Sequence, residues 1–497
     1  MKSLVTPKPN CLELKKGYFK FTNETTIANL IGFPEQFLSQ HLKSNHAITL
    51  HEGKNANVKL TYDEKIEGEG YHLVVETEKI RIFSSSYEGI MNGVQTLFQL
   101  IELKDGEVVI PCCDIKDAPK FAWRGLMLDV ARHMFTIDEI EKVIDMAAMC
   151  KINKLHLHLT DDQGWRMEIK KYPKLTSVGA YREETLIGHR RDRPQKFDGK
   201  KYGGFYTQEE LKGIVNYAMY RNVEIIPEID MPGHMQAAIS AYPEFGCSDE
   251  KLGVWCDWGI SDNILNLKEN TLSFLEDVLI EVMHVFPSEY IHIGGDEVPK
   301  KFWEKSQEIQ DKMKEVGVET ENDLQGWFTN RITEFLKKHD KKTIVWNEAL
   351  ETSVKSDFTV MSWTSENPGK AAAEEGTPVI LCPMQKVYLD HYQHPEKEKQ
   401  PLAIGGLSTV KDIYTYEVLR GQLSPEGLKN LMGIQGNMWT EYAPTFSQLC
   451  YMIFPRLFAI AELGWTDFDK MNFEDFEARL PKMKKILENK NMNYCKL

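Results

Sequence analysis

YIHIGGDEVP, residues 290–299, alternates Ile291 and Ile293 with His292, breaks at Gly294-Gly295 and then presents two adjacent acids, Asp296 and Glu297. A short buried strand that ends in glycines and hands carboxylates to a loop is how a parallel α/β barrel offers side chains at its C-terminal face. Neighbouring residues on extended backbone point to different sides, so the two acids are not set to flank one bond symmetrically. The pattern predicts instead that Glu297 reaches a reacting atom while Asp296 holds a group beside it. Taken alone, the decapeptide fits a solvated Asp-Glu turn equally well, and the rest of the chain has to separate the two.

From Trp123 the chain repeats strand, loop and helix. Strands are expected at GLMLDV (125–130), KLHLHL (154–159), VEIIPEID (223–230), the opening segment, TIVWN (343–347), FTVMSW (358–363), PVILC (378–382) and MGIQGNMW (432–439). Helical spacing of apolar residues falls between them, over 137–150, 209–220, 271–285 and 324–338. Eight strands alternating with helices over roughly 375 residues predict an α/β fold of the (β/α)8, or TIM-barrel, type. An open doubly wound sheet is the alternative, but no GxGxxG follows a first strand, as a dinucleotide-binding version requires. Residues 1–118 read differently. NVKLTY (57–62), YHLVVE (71–76) and KIRIF (79–83) predict antiparallel strands, and 86–103 predicts a helix with Ser86 as N-cap. The expected organisation is therefore a smaller non-catalytic α+β domain over 1–118 and a barrel over 119–497.

Bulk properties narrow the partners. A net charge of −14 disfavours nucleic acid and anionic membrane. The most apolar run, 449–463, contains Pro455 and Arg456 and is shorter than a membrane span; it reads as a barrel helix. The opening MKSLVTPKPNCLELKKGYF has lysines but no apolar core, so no secretory signal is expected. Nine scattered cysteines without CxxC spacing predict free thiols in a reducing compartment. Together these point to a cytoplasmic protein; pairing into a homodimer stays open.

The residues just past the strands form a coherent set: Asp129 and Arg132; Asp161 and Asp162; Glu228, Asp230 and His234; Asp296 and Glu297; Trp346 and Glu348; Trp363; Tyr388 and Asp390; Trp439 and Glu441. In a barrel these converge on one pocket. Carboxylates with an arginine suit the hydroxyls of a sugar ring, and tryptophans with a tyrosine supply flat walls for its C–H faces or for a methyl group. Duller readings compete. Asp129 and Arg132 read equally as an internal ion pair. His156 and His158 alternate with leucine as satisfied core histidines do, although HxH spacing also begins metal sites. A metal-dependent hydrolase would use them with His234; the reading expects no metal and no cofactor. The long charged segment 183–204 reads first as a solvated loop, and otherwise as a cover over the pocket, a contributor to subsites or an oligomer contact. Trp255 and Trp258, within 242–261, either line a further sugar site or pack.

RGLMLDVARHMF (124–135), KLHLHLTDDQGWR (154–166), PEIDMPGH (227–234), HIGGDEVP (292–299), VWNE (345–348), SW (362–363), YLD (388–390) and GNMWTE (436–441) together resemble the family 20 glycoside hydrolases, the β-N-acetylhexosaminidases. The resemblance runs in order from 123 to about 465, and 1–118 is similar to the domain that precedes the barrel in that family. It implies an exo-acting enzyme removing terminal β-linked N-acetylglucosamine or N-acetylgalactosamine, with an N-acetylated amino-sugar glycoside as substrate. Glu297 would be the general acid and base, and Asp296 would orient the 2-acetamido group. That group's carbonyl oxygen would attack the anomeric carbon, a known departure from the two-carboxylate scheme. Trp346, Trp363 and Trp439 would wall the acetamido pocket, with the Tyr388 hydroxyl on its carbonyl oxygen. Arg132, Asp390 and Glu441 would hold ring hydroxyls, and Asp161 with His234 would support Glu297. The competing reading is an inactive barrel that only binds N-acetylated sugars; the intact Asp296-Glu297 pair argues against it.

Overall fold

In the computed structural model, which describes residues 5–29, 32–248, 250–354 and 357–496, eight parallel strands close on themselves. They are Trp123–Asp129, Lys154–His158, Glu224–Glu228, Tyr290–His292, Lys342–Trp346, Thr359–Ser362, Val379–Leu381 and Leu431–Met438. The last pairs with the first, Gly433 opposite Trp123 through Met438 opposite Leu128, which closes the barrel. These are the eight runs expected, differing only at their ends. The open-sheet alternative is thereby excluded.

Outside the strands lie the expected helices, among them Ile137–Met149, Gln208–Met219, Glu269–Val285 and Glu321–Lys337. Two begin with reciprocal caps, Thr136 with Glu139 and Thr207 with Glu210, which satisfy orphan N–H groups and set the start of each helix. The apolar run 449–463 is not one helix. It is split into Phe446–Ile453 and Arg456–Trp465, because Pro455 offers no N–H to continue the first. Among the described residues no single helix is long and apolar enough to cross a membrane, and this pair meets the test only jointly across a 47° bend.

The bend puts Arg456 to structural use. Its buried guanidinium donates to the carbonyls of Leu389 (2.5 Å), His391 (3.0 Å), Ser408 (3.1 Å) and Met452 (2.7 Å). A loop that would otherwise carry unpaired carbonyls at the barrel mouth is pinned there. Tyr388 and Asp390 sit on it.

Residues 11–117 form an eight-stranded sheet with helices Phe33–His46 and Tyr87–Leu100. Ser86 caps the second helix as expected. One expectation fails: Val58–Tyr62 runs parallel, not antiparallel, to Ile80–Ser84. The tight hairpin is Tyr71–Val75 with Ile80–Ser84, and Val58–Tyr62 joins its far side in the same direction. The sheet's longest strands, Cys11–Phe21 and Glu107–Asp117, had no clear sequence signal. The first is mostly exposed, and the second carries Pro111, which pairs with Tyr18 just past a bulge at Gly17.

This sheet rests on the barrel's N-terminal end, opposite the strand tips. Glu69 receives Arg124 (2.6 Å) and Asn153 (3.0 Å), residues at the starts of the first two barrel strands. Trp465, from the last helix above, is fully buried in the core of the sheet and donates its indole N–H to Asp117 (2.9 Å). Deleting that ring removes both a large apolar payload and a partner of a buried carboxylate. Trp465→Ala is expected to cost about 3–5 kcal/mol, read as a lower denaturant midpoint.

Candidate active site

A cavity of ≈ 340 Å³ opens at the C-terminal ends of the strands. Its lining includes Arg132, Asp161, His234, Asp296, Glu297, Trp346, Trp363, Tyr388, Asp390, Trp439 and Glu441. These eleven are the residues that the family resemblance assigned to the site; Asp129, Asp162, Glu228, Asp230 and Glu348, expected in the same pocket from their places at the strand ends, do not line it.

The fourth strand tip determines how the two acids are presented. Gly294 and Gly295 take φ of +66° and +95°, and a Cβ at Gly294 would lie 1.8 Å from Asp230 Oδ1. Only glycine fits there. The same Asp230 oxygen accepts the Gly295 N–H (3.0 Å), so the turn is locked from below. The chain then leaves Asp296 buried and puts Glu297 at φ +49°, with its side chain about one-third exposed. His234, also at positive φ (+53°), brings Nε2 to 3.8 Å from Asp296 Oδ2 and 3.7 Å from Glu297 Oε2. Left-handed backbone at two non-glycine residues of one pocket is strain of the sort that collects at functional sites.

Asp161 anchors the group from behind. Its Oδ1 accepts from His234 Nδ1 (3.1 Å) and the Asp162 N–H (2.7 Å), and its Oδ2 from His158 Nε2 (2.7 Å) and Arg132 Nη2 (2.8 Å). Arg132 also meets Asp129 (3.2 Å) and Gln163 (2.8 Å) and lies 5.1 Å over the Trp439 ring. It is thus both an internal ion pair and a cavity residue. Trp346, Trp439, Trp363 and Tyr388 form a continuous aromatic wall, with neighbouring centroids 6.2–6.4 Å apart. Trp363 is oriented by Glu348 (2.9 Å) and Trp346 by Glu228 (2.9 Å).

The sequence profile of "Glycosyl hydrolase family 20, catalytic domain" matches residues 121–468, and that of the family's domain 2 matches residues 2–118. The chain belongs to glycosyl hydrolase family 20. A β-hexosaminidase of Porphyromonas gingivalis is 40% identical over 438 residues, 86% of this chain. One of Vibrio furnissii is 36% identical over 468 residues, 92% of this chain. The chain spans 55% of the first relative's length and 76% of the second's. The crystal structure of an exo β-N-acetylglucosaminidase from Vibrio harveyi, in complex with N-acetylglucosamine, superposes with a TM-score of 0.90 at 33% identity. That match covers 99% of this chain and 78% of the other.

Within this family 20 barrel the charges are strongly perturbed. Burial opposes the Arg132 charge, yet Asp161, Asp129 and Glu441 outweigh it and hold the guanidinium well above its usual range. Burial opposes Asp161 too, but Arg132 and His234 keep it far below the usual carboxylate range. Burial opposes the His234 charge as well, but Asp161, with Asp162 and Glu297, outweighs it and holds the ring well above its usual range, as a cation. Asp296 goes the other way: burial, then the charges of Asp230, Glu348 and Glu297, push its carboxyl well above normal. Asp296 Oδ1, His234 Nε2 and Asp390 Oδ1 have no hydrogen-bond partner among the described residues.

Other expectations sort as follows. His156 and His158 are core histidines, each bonded to Glu228 (2.9 and 2.5 Å), while His234 turns to Asp161. The three named for a metal do not gather in one cluster: His156 and His158 share Glu228, and His158 and His234 share Asp161. The 183–204 segment is not a free loop. It carries a short hairpin, Leu186–Ile187 with Lys196–Phe197, and His189 stacks on Tyr442 at the barrel mouth (5.3 Å, 6°). Trp258 is buried against His133 and Arg182 and only packs; Trp255 is half-buried. Met384, His391 and Ile404 complete the lining and had no sequence signal: Met384 opens a short helix, Met384–Val387, His391 lies in the two-residue strand His391–Tyr392, and Ile404 comes from an irregular segment.

Asp390 gives a stability test. Burial and then Glu441 push it well above the usual range, so the folded chain holds this proton more tightly than the unfolded chain does. Its cost appears as pH rises past the unfolded value of about 4 and grows until the raised value is reached. Asp390→Asn is expected to raise Tm at pH 8 by about 1–3 °C, with the gain vanishing toward pH 4. Thermal unfolding at both pH values checks this.

Proposed function

We propose that the protein is an exo-acting β-N-acetylhexosaminidase that releases terminal non-reducing β-linked N-acetylhexosamine with retention, the substrate's own acetamido oxygen serving as nucleophile. The observation that carries it is the joint placement of Asp296 and Glu297 beside one histidine nitrogen, against an aromatic wall, at the mouth of the barrel. The N-acetylglucosamine bound to the similar Vibrio harveyi enzyme supports an N-acetylated amino sugar as the ligand.

In this reading Glu297, the more exposed acid, gives its proton to the leaving oxygen and later takes one from water. Asp296 accepts the acetamido N–H on Oδ1, which lacks a protein partner among the described residues. Burial and the neighbouring carboxylates raise its carboxyl, so the ionised form is poorly served by the protein alone and gains strongly from an incoming N–H and from the positive charge that develops on that nitrogen. Trp346, Trp363 and Trp439 clasp the methyl arm, and the Tyr388 hydroxyl holds the carbonyl oxygen near the anomeric carbon. Proximity of this kind is worth on the order of several kcal/mol. Arg132, Asp390 and Glu441 bind ring hydroxyls at the other end, which suits a single terminal sugar. The organisation proposed is a barrel over 119–497 carrying this site and a supporting domain over 1–118. Nine unpaired cysteines support a reducing, cytoplasmic setting.

Glu297→Gln is expected to lose about 10²–10⁴ in kcat on a chromogenic N-acetylglucosaminide while still binding a thiazoline product mimic. Full activity in that variant rejects the mechanism. Asp296→Asn should also fall strongly. Wild-type enzyme should cleave the matching plain glucoside very poorly, and equal rates on the two would reject the acetamido pocket.

A further inference from the structure

Below the cavity floor, one buried carboxylate touches both halves of this machinery. Glu228, at the end of the third barrel strand, accepts the Trp346 indole N–H on Oε1 (2.9 Å). Its Oε2 meets His158 Nδ1 at 2.5 Å and His156 Nε2 at 2.9 Å. His158 continues to Asp161 (Nε2 to Oδ2, 2.7 Å), Asp161 to His234 (3.1 Å), and His234 faces Glu297 (3.7 Å). From Trp346 through His234 every member is at most 3% exposed. An aromatic wall and an acid are thus joined by alternating carboxylates and imidazoles, hydrogen-bonded from Trp346 as far as His234 and in a longer ionic contact of 3.7 Å from there to Glu297.

The charge on His158 follows from geometry. Each of its ring nitrogens faces a carboxylate oxygen. A neutral imidazole has one N–H, and it would set a lone pair against an anion on the other side. His158 is therefore an imidazolium; burial opposes this, but Glu228 and Asp161 outweigh it and push the ring up to about 10. His156 is different. Its Nδ1 accepts from Gln435 Nε2 (3.2 Å), and burial pulls it down to about 4, so it is neutral and ends a side branch.

We propose that Glu228 and His158 are positioning residues that couple the wall of the acetamido pocket to the proton of Glu297. The proposal rests on the reading of Glu297 as general acid and Trp346 as acetamido wall. Glu228 fixes the plane of Trp346 and, through the same carboxylate, the place of His158. His158 shares with Arg132 the task of keeping Asp161 anionic and aimed at His234 Nδ1. That leaves His234 Nε2 toward Glu297, where it steadies the carboxylate as the proton leaves and returns. A sugar arm pressing on Trp346 therefore shifts the same set of bonds that governs proton donation. A network that merely stabilised the core would have no such link.

The test separates proton donation from general damage. Two N-acetyl-β-glucosaminides are compared, one with a poor 4-methoxyphenyl leaving group and one with a 2,4-dinitrophenyl group that departs without a proton. The control for the underlying reading is wild-type cleavage of both, lost in Glu297→Gln on the first; without it that reading fails, and this proposal with it. Given the control, His158→Gln is expected to lose about 10- to 100-fold in kcat on the poor leaving group, a fraction of what a general acid supplies. On the activated one its loss should stay under about threefold, with KM little changed on both. Trp346→Phe, which keeps a ring but removes the N–H, should raise KM on both and lower kcat several-fold more on the poor leaving group. If His158→Gln does not fold, as judged by circular dichroism, Trp346→Phe decides alone. Equal losses on both leaving groups overturn the proposal, and so does selective loss in His158→Gln with none in Trp346→Phe.

Discussion

Asp161 has no access to water and four donors: Arg132, His158, His234 and the Asp162 backbone. Burying a carboxylate is tolerable only when its lone pairs are taken up, so once this residue is inside the barrel its neighbours lose their freedom. Arg132 must swing in from the first strand tip, His158 must point inward from the second, and His234 must adopt an unfavourable backbone to reach it. The cavity's charged floor is therefore specified by one anion's need for partners. The aromatic wall is tied in at its base, because Trp346 bonds to the carboxylate that also holds His158.

Around this rigid floor the site stores unfavourable features. Glu297 and His234 sit at positive φ, four buried polar atoms of cavity residues lack partners among the described residues, and Asp296 and Asp390 carry raised carboxyls. Each costs stability, and each belongs to a residue that lines the same space. A core built for stability alone would have paired or removed these groups. The barrel tolerates them because its strands and helices are otherwise densely apolar, and the sheet of residues 11–117 braces the opposite end through Glu69 and Trp465.

Strand tips are legible in a sequence because they combine two strong signals, an apolar run and the polar residue just after it. That is why Asp296, Trp363 and Glu441, just past or at the end of their runs, and Trp346, which ends its strand, group together from the sequence. Glu228 was legible as a strand end but not as a hub. Its partners follow from the stagger between strands, which sets His158 beside Glu228 and Glu228 beside His292, and stagger leaves no mark in the order of residues. Ile404 was illegible for another reason: it reaches the cavity from an irregular segment held by tertiary bonds, such as that between its carbonyl and His189 (3.0 Å). In the other domain, Cys11–Phe21 escaped notice because a largely exposed strand buries too few residues to show a pattern.

The placement of the acids also bears on which atom attacks. A retaining glycosidase with an enzyme nucleophile sets two carboxyls on opposite faces of the bond to be broken. Here Asp296 and Glu297 lie within 3.8 Å of the same His234 nitrogen, on one flank of the cavity. Of the other acids at hand, Asp161 is engaged by its four donors, Glu348 by the Trp363 indole and Glu228 by Trp346 and two histidines, while burial pushes the carboxyls of Asp390 and Glu441 above their usual range. A carboxylate so engaged is a poor nucleophile, since attack would forfeit bonds it cannot replace in a dry interior. What the cavity does offer opposite the acid is an aromatic box with a tyrosine, shaped to hold a flat neutral group. In the proposed reading an amide carried in on the substrate occupies that box, and it needs no charge of its own until it reacts.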